Sequence, residues 1–521
     1  MKKLPLIIII LWFFAINNAF SQTIRQDSLD AYIGQLMEEL ELPGLSISIV
    51  HKGSTIYSKG FGTREFGKNL PVDNHTLFGI GSISKSFVAL TIGILVDEGK
   101  LDWDDRVIDY LPYFELYDPY VTAHFTIRDL MTHRSGLHSV SGGTLLISTD
   151  FSREQVIKGL KHLKPVSGFR DAPAYQNVMW VVASEIVKVV SGMTWEEFLQ
   201  KRVFDKLGMT HTTSNVADRE ASKNLAKPHI LDDNFQIVQI EQEKSDNAMP
   251  AGFIFSSADE MAIYMKLLLN EGVIGKDTII SKTSLAEIFK PQNHFPSYPA
   301  PFHNEFTSYG FGWFLTPKHG HKIIEHSGGI DGATANLMMV EDLDFGVVVM
   351  TNAAELAPYV VTHKVLFDFL HDEDYNSKDF LLGLRNQWLE QRKQAKIDTE
   401  QSRIEGTKPS LDMPLYAGTY HDKMYGDILI NASSEGSLEI SFPHSHHLHG
   451  KLKHWHYDTF LIDWDDIRVP DGFLTFNFNA ERDILGFRID QNNLRCRFWR
   501  IGNKEKTKLI IPMCMSIGAL C

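Results

Sequence analysis

The sequence predicts an α+β fold: one antiparallel sheet flanked by helices and carrying a helical insert, followed by a small C-terminal β-sandwich or barrel. Three observations predict it. Strand patterns stand at residues 45–58 and return only at 322–350. Helical periodicity fills most of the stretch between them. A sheet assembled from both ends of a segment, with helices inserted, is an α+β arrangement. After residue 412 the pattern changes to short, alternating, aromatic-rich runs with turns between them, which a small sandwich or barrel requires.

The elements follow in order. Lys2 and Lys3 precede an apolar run over residues 4–16, and Ala19-Phe20-Ser21 ends it with small residues. That is a secretory leader, residues 1–21, with cleavage after Ser21. The run is shorter than the ~20 apolar residues of a spanning helix. The expected product is exported, periplasmic or extracellular, and membrane-anchored if the leader stays. No Cys follows the run, which argues against a bacterial-type lipid anchor. Leu29, Ile33, Leu36, Met37 and Leu40 recur at helical spacing, and Pro43-Gly44 stops that helix. Residues 45–50 and 55–58 read as strands around a Lys52-Gly53 turn. Residues 82–98 read as a helix apolar on most sides, hence buried, with Gly99 as its C-terminal cap.

Between residues 100 and 290 the reading is mostly helical, with helices at 178–190 and 258–269. Strands return at 322–325, 335–340 and 345–350, and one long helix is predicted over 360–396. The polar stretch 397–411, with Gly406 and Pro409, is a linker. Strands are predicted at 427–430, 438–442, 459–463, 473–478, 485–489 and 495–500. The expected organisation is therefore a leader (1–21), a first domain (22–396), a linker (397–411), a β-domain (412–501) and an apolar tail (502–521) too short to span a membrane.

Composition narrows the function. The net charge is −14, without the basic face that nucleic acid requires. The three cysteines, Cys496, Cys514 and Cys521, form no Cys-x-x-Cys pair and no disulfide framework.

Three short motifs carry chemistry. Ser82-Ile83-Ser84-Lys85 is the only Ser-x-x-Lys in the chain. It places Ser82 at the start of a buried helix, where backbone N–H groups are free to face a ligand. Lys85 lies one turn on, on the same face. Desolvation and the helix dipole both push such a lysine's pKa down, as a proton acceptor requires. The plain alternative for Ser82 is a helix N-cap. Tyr175-Gln176-Asn177 follows Pro173 in a loop before a helix. There Tyr175 would pass a proton between Ser82 and a leaving group, and Asn177 would hold a substrate amide or Lys85. His326-Ser327-Gly328-Gly329 follows a strand. Small residues let a substrate backbone approach, and the Gly329 N–H would join that of Ser82 around an oxyanion. The plain alternative is a turn with a surface histidine. The histidines His444, His446, His447, His449, His454 and His456 are read as solvated loop and strand residues rather than a metal site, since no Asp, Glu or Cys partner is fixed in register. His133 is read as structural, in a loop that shapes the cleft. Gly-x-Ser-x-Gly and His-Glu-x-x-His are both absent.

The order Ser-x-x-Lys, Tyr-x-Asn, His-x-Gly resembles the three motifs of serine beta-lactamases and low-molecular-weight penicillin-binding proteins. It is most similar to the branch holding class C beta-lactamases, D-aminopeptidases and related esterases. Flanking text agrees: Phe78-Gly79-Ile80-Gly81, Leu101-Asp102-Trp103-Asp104-Asp105, residues 126–137, Leu207-Gly208-Met209, Pro250-Ala251-Gly252 and Tyr309-Gly310-Phe311-Gly312-Trp313. The resemblance covers residues 25–370, and 412–501 resembles the small β-domain often appended to such hydrolases. It implies Ser82 as nucleophile, Lys85 as its activating partner and Tyr175 as general base and acid. It implies Asn177, His326, Ser327, Gly328 and Gly329 as substrate-binding residues. No metal or organic cofactor is implied. The implied substrates are small esters, peptides or beta-lactams, with cell-wall association; oligomeric state is not readable. The alternative is a penicillin-binding or cell-wall-binding protein with little turnover.

Two positions depart from the pattern. His326 stands where beta-lactamases proper carry Lys, and Gly329 where a small hydroxyl residue is frequent. An ordinary histidine titrates near ~6.5, so His326 is expected to be neutral at neutral pH and to gain charge below pH ~6. All three motifs precede residue 397, so the β-domain is expected to be dispensable for the reactivity of Ser82.

Overall fold

The helical repeat of Leu29, Ile33 and Leu36 forms helix α1 (Gln26–Glu39) and buries those three side chains. In the computed structural model, residues 26–139, 141–143, 148–296, 306–371, 377–434, 436–491 and 494–500 are described. The leader, Cys514, Cys521 and the tail lie outside them.

After α1, strand β1 (Gly44–His51) pairs with β2 (Ser54–Gly62) in an antiparallel hairpin. Its turn residues Lys52 and Gly53 have φ of 50° and 71°. The other six strands of the sheet come from the far end of the segment. They are β3 (Asn293–Phe295), β4 (Thr307–Tyr309), β5 (Phe314–Lys318), β6 (His321–Ile330), β7 (Ala333–Val340) and β8 (Phe345–Thr351). The order is β2-β1-β8-β7-β6-β5-β4-β3, antiparallel throughout. The two ends of the segment meet where Leu45 pairs with Thr351 and Ile47 with Val349.

Alternation splits the strands between two cores. Ile47, Val347 and Val349 face α1 and helix α5 (Ala357–Phe369). Ile324, Leu337 and Val348 face the helical insert. The insert contains α2 (Ser84–Asp97), α3 (Val178–Ser191) and α4 (Ala258–Leu269). The helix expected over 360–396 is instead two: α5, and α6 (Ser377–Gln401). His371 is left-handed at φ 58°, a conformation that ends a helix.

The C-terminal strands close into an eight-stranded barrel. They are β9 (Gly418–Asp422), β10 (Gly426–Ala432), β11 (Leu438–Ser441), β12 (His449–His456), β13 (Thr459–Trp464), β14 (Gly472–Phe478), β15 (Ile484–Gln491) and β16 (Leu494–Arg500). Tyr420 pairs with Arg500 to join the first strand to the last. Ile428, Ile440, Phe460, Leu474 and Phe487 fill the interior. Strands β9 and β12 were not expected. β12 turns Gly450, Leu452 and Trp455 inward, and its outward positions are His and Lys rather than β-formers.

The barrel is docked on the sheet domain. His446 N–H donates to Ser148 O, and Asp150 N–H donates to His444 O. Thr149 and Ser445 form an isolated antiparallel bridge. His444 Nδ1 lies 2.7 Å from Asp150 Oδ1, and its ring packs on Phe151. Met424 and Tyr425, from the turn between β9 and β10, pack against the core that holds α2 and α3. Of the six clustered histidines, His444, His447 and His449 each place a ring nitrogen against a carboxylate.

Candidate active site

Phe78-Gly79 forms a short pair with Phe255-Ser256, and the chain then turns through a single 3-10 turn, Gly81–Ile83, into α2. Every residue from Ser84 to Leu95 is buried, so this helix cannot shift without disturbing the core. Ser82 sits in the turn, only 5% exposed. Lys85 is fully buried, with Nζ 2.9 Å from Ser82 Oγ. Its second partner is the carbonyl of Ala251. The contact with Oγ works in both directions: an ammonium donates into it, an amine accepts a proton through it.

One segment supports the turn from below. Ile254 N–H donates to Ser84 Oγ, and Ile80 N–H donates to Ile254 O. With the Ala251 carbonyl on Lys85, residues 251–254 touch the nucleophile's setting at three points.

The third motif closes the other side. β5 pairs with β6 only as far as Glu325, so among the described residues no strand pairs with the β6 edge beyond it. Glycine is required where the two backbones meet. A Cβ on Gly328 would lie 1.9 Å from Ile80 O, and one on Gly81 would lie 2.3 Å from Gly329 N. Gly81 also has φ 53°, where a side chain is strained. The Gly329 amide is thereby brought beside the turn that carries Ser82, and Ser327 lies buried on the same strand.

Tyr175 ends the loop before α3, with its ring 4.9 Å from Lys85 Nζ. Beneath it lies His133, stacked at 4.2 Å. His133 is buried, with φ 56°. Its Nδ1 accepts from Gln176 N–H, and burial with Lys85 nearby pushes its pKa well below the ordinary value. It is a neutral platform for Tyr175. Asn177 occupies the N-cap position of α3 without capping it through its side chain, and it is only partly buried. The structure therefore brings Ser82, Lys85, Tyr175, Gly328 and Gly329 to one place.

His326 differs from the pH-dependent charge expected of it. Its imidazole is fully buried on β6, which excludes the plain alternative of a surface turn. Its Nδ1 is 2.5 Å from Ser327 O, and so donates to it. Its Nε2 then accepts from Tyr309 Oη at 3.0 Å. Burial, with Lys85 nearby, pushes the pKa down to about 3. The charge gain expected below pH ~6 does not occur in this environment.

Sequence reasoning passed over several residues. Tyr309 reads in the sequence only as flanking text, yet its hydroxyl donates to the His326 Nε2 that the Ser327 carbonyl leaves unprotonated, and its ring packs on His133, centroids 4.6 Å apart. The aromatic-glycine alternation of residues 309–313 was the available signal. Ala251 acts through its backbone, which leaves no side-chain signature. Glu243 is nearly buried and accepts from Ser148 N–H, Ser245 Oγ and Lys244 N–H; a lone Glu in a loop gave no cue.

Known proteins are similar to this chain. The family described as Beta-lactamase matches residues 29–366, and a domain of unknown function, DUF3471, matches residues 402–500. A relative named Unguisins hydrolase ungD, from Aspergillus violaceofuscus, is 26% identical over 440 residues, which span 77% of this chain and 76% of its own. Penicillin-binding protein 4* of Bacillus subtilis is 26% identical over 324 residues, 59% of this chain and 67% of its own. The octameric penicillin-binding protein homologue from Pyrococcus abyssi superposes with a TM-score of 0.59 at 22% identity, covering 91% of this chain and all of that one. That last likeness shows the shared fold. The family match spans well over half the chain and contains all three motifs, so the chain belongs to the beta-lactamase family of serine hydrolases.

Proposed function

We propose that the chain hydrolyses small esters or amides through an acyl-enzyme on Ser82. The observation that carries this reading is the buried Lys85 Nζ at 2.9 Å from Ser82 Oγ, beside a glycine strand whose edge past Glu325 pairs with no strand among the described residues. Ser82 Oγ attacks the substrate carbonyl as its proton passes to Lys85 in the amine form. The carbonyl oxygen becomes an oxyanion facing the Ser82 and Gly329 amides. The proton moves through the Lys85 and Tyr175 pair to the leaving oxygen or nitrogen, and the C–O or C–N bond breaks. Water then attacks the acyl-enzyme, gives its proton to the same pair, and releases the acid. Asn177 holds the substrate's amide.

The absence of a cation at His326 favours uncharged acyl groups over carboxylate-bearing penicillins. Within the family, peptide-like and beta-lactam compounds remain the substrate classes to examine. The basic, apolar and small-residue pattern of residues 2–21 supports an exported location.

The test is turnover of p-nitrophenyl esters, D-peptides and cephalosporins by wild type and Ser82→Ala. Turnover of at least one class that Ser82→Ala lacks is expected. A wild-type protein that acylates once and does not turn over would favour a binding role instead.

A further inference from the structure

The barrel meets the sheet domain at a cluster of charges. His447, between β11 and β12, places Nε2 2.6 Å from Glu243 Oε2 and Nδ1 against the Asp466 carboxylate. With a carboxylate on each nitrogen, the imidazole is held as a cation. Arg468 is paired with Asp466 at 2.5 Å, lies 3.7 Å from Glu243 and donates to Glu241 O. Its Nη2, 2.7 Å from His447 Nδ1, is then a neighbour of the ring rather than its donor. Asp331, in the turn after β6, lies within electrostatic range of the same group. The pKa values fit the geometry: His447 is pushed up to about 9 and Glu243 down to about 2, both despite burial.

Glu243 is the only one of the two carboxylates on His447 that belongs to the sheet domain, and it is 4% exposed. Its oxygens also gather Ser148 and Ser245. Ser245 opens the segment that runs through Asn247, whose Nδ2 donates to Phe151 O and Thr149 Oγ1. Four residues after Asn247 comes Ala251, the carbonyl on Lys85. One stretch of chain, Ser245 to Ala251, thus links the buried carboxylate at the barrel joint to the carbonyl that accepts from Lys85.

We propose that the C-terminal barrel is a working part of the active site, and that Glu243, held by His447 and Arg468, is a positioning residue that fixes the 243–251 segment and so the Ala251 carbonyl against Lys85. This rests on the reading of Ser82 as nucleophile. It reverses the expectation that the barrel is dispensable. Loosening the joint leaves the residues that touch substrate in place but lets the acceptor on Lys85 wander. The loss therefore falls on the chemical step rather than on substrate binding.

The experiment uses the full chain. The variants are His447→Ala, His447→Gln, Glu243→Gln and a control, His449→Ala, which removes the exposed contact with Asp465 on the same domain. The labelling rate of Ser82 by a fluorophosphonate is measured, with kcat and KM for a p-nitrophenyl ester. His447→Ala and Glu243→Gln should each lower the labelling rate and kcat by about tenfold or more, with KM within about twofold, and together should cost little more than either alone. His447→Gln, the milder change, keeps the test open if Glu243→Gln does not fold. Its loss should fall between the control and His447→Ala. Folded variants that label at the wild-type rate, or that raise KM and leave kcat alone, would overturn the proposal. If wild type and His449→Ala both fail to label, the reading of Ser82 itself falls, and this proposal with it.

Discussion

Lowering the pH from about 8.5 to about 5.5 should leave unchanged the enzyme's preference between a neutral ester and a matched ester bearing a carboxylate. The perturbation acts on His326, the residue at the third motif. Its imidazole is fully buried, donates to Ser327 O, accepts from Tyr309 Oη and has Lys85 nearby, and its pKa falls to about 3. At pH 5.5 only about 0.3% of such a group is charged, against about 90% of an ordinary imidazole. Tyr309→Phe tests the margin. Removing a donor that stabilises the neutral ring costs that form about 1 kcal/mol and raises the imidazole only slightly, too little to charge it in this range. The assay is kcat/KM for both esters across the range, in wild type and Tyr309→Phe. The ratio should vary by less than about twofold in both proteins. A wild-type ratio that swings toward the anionic ester with a midpoint near 6 would refute the reasoning, because it would show a solvated His326.

Three further outcomes are expected. Lys85→Ala and Tyr175→Phe should each lower kcat, and the double variant should cost little more than the worse single, since the two act as one proton-transfer unit; multiplicative losses would separate them. Gly328→Ala should lower kcat by at least about a hundredfold, as loss of an oxyanion donor does, because its Cβ would meet Ile80 O at 1.9 Å and drive the strand from the turn; activity within about threefold of wild type would contradict this. His447 has its pKa raised from 6.5 to about 9 in the fold. Its charge therefore contributes stability, of order 3 kcal/mol, that is fully present below pH ~6.5 and is lost as pH rises through ~9. In urea titrations the gap between wild type and His447→Ala should be widest near pH 6 and shrink by pH 10; a constant gap would show that His447 is not charged in the joint.

Much of the fold was legible because it rests on local rules. The hairpin at Lys52-Gly53, the buried helix after Ser82 and helix α4 each follow from periodicity and a turn residue. The failures have physical causes. The break between α5 and α6 lies at a left-handed His371, which no periodicity announces. Strand β12 hides because its inward positions are few and its outward ones are histidine and lysine. At the site, Ser82 and Lys85 were readable because one helical turn fixes their spacing. The environment of His326 was not, since its burial and its bond to Tyr309 come from strands that meet only in the folded sheet. The same holds for Glu243 and His447, which are 204 residues apart in the chain.

The central claim is that Ser82 carries the acyl group during turnover. The direct measurement is intact-mass and peptide-mass analysis of the protein quenched in acid during hydrolysis of a slowly released p-nitrophenyl ester. A single acyl adduct on the peptide containing Ser82, absent from Ser82→Ala, is the expected result. Ester consumption with no adduct, or with an adduct on another residue, would contradict it.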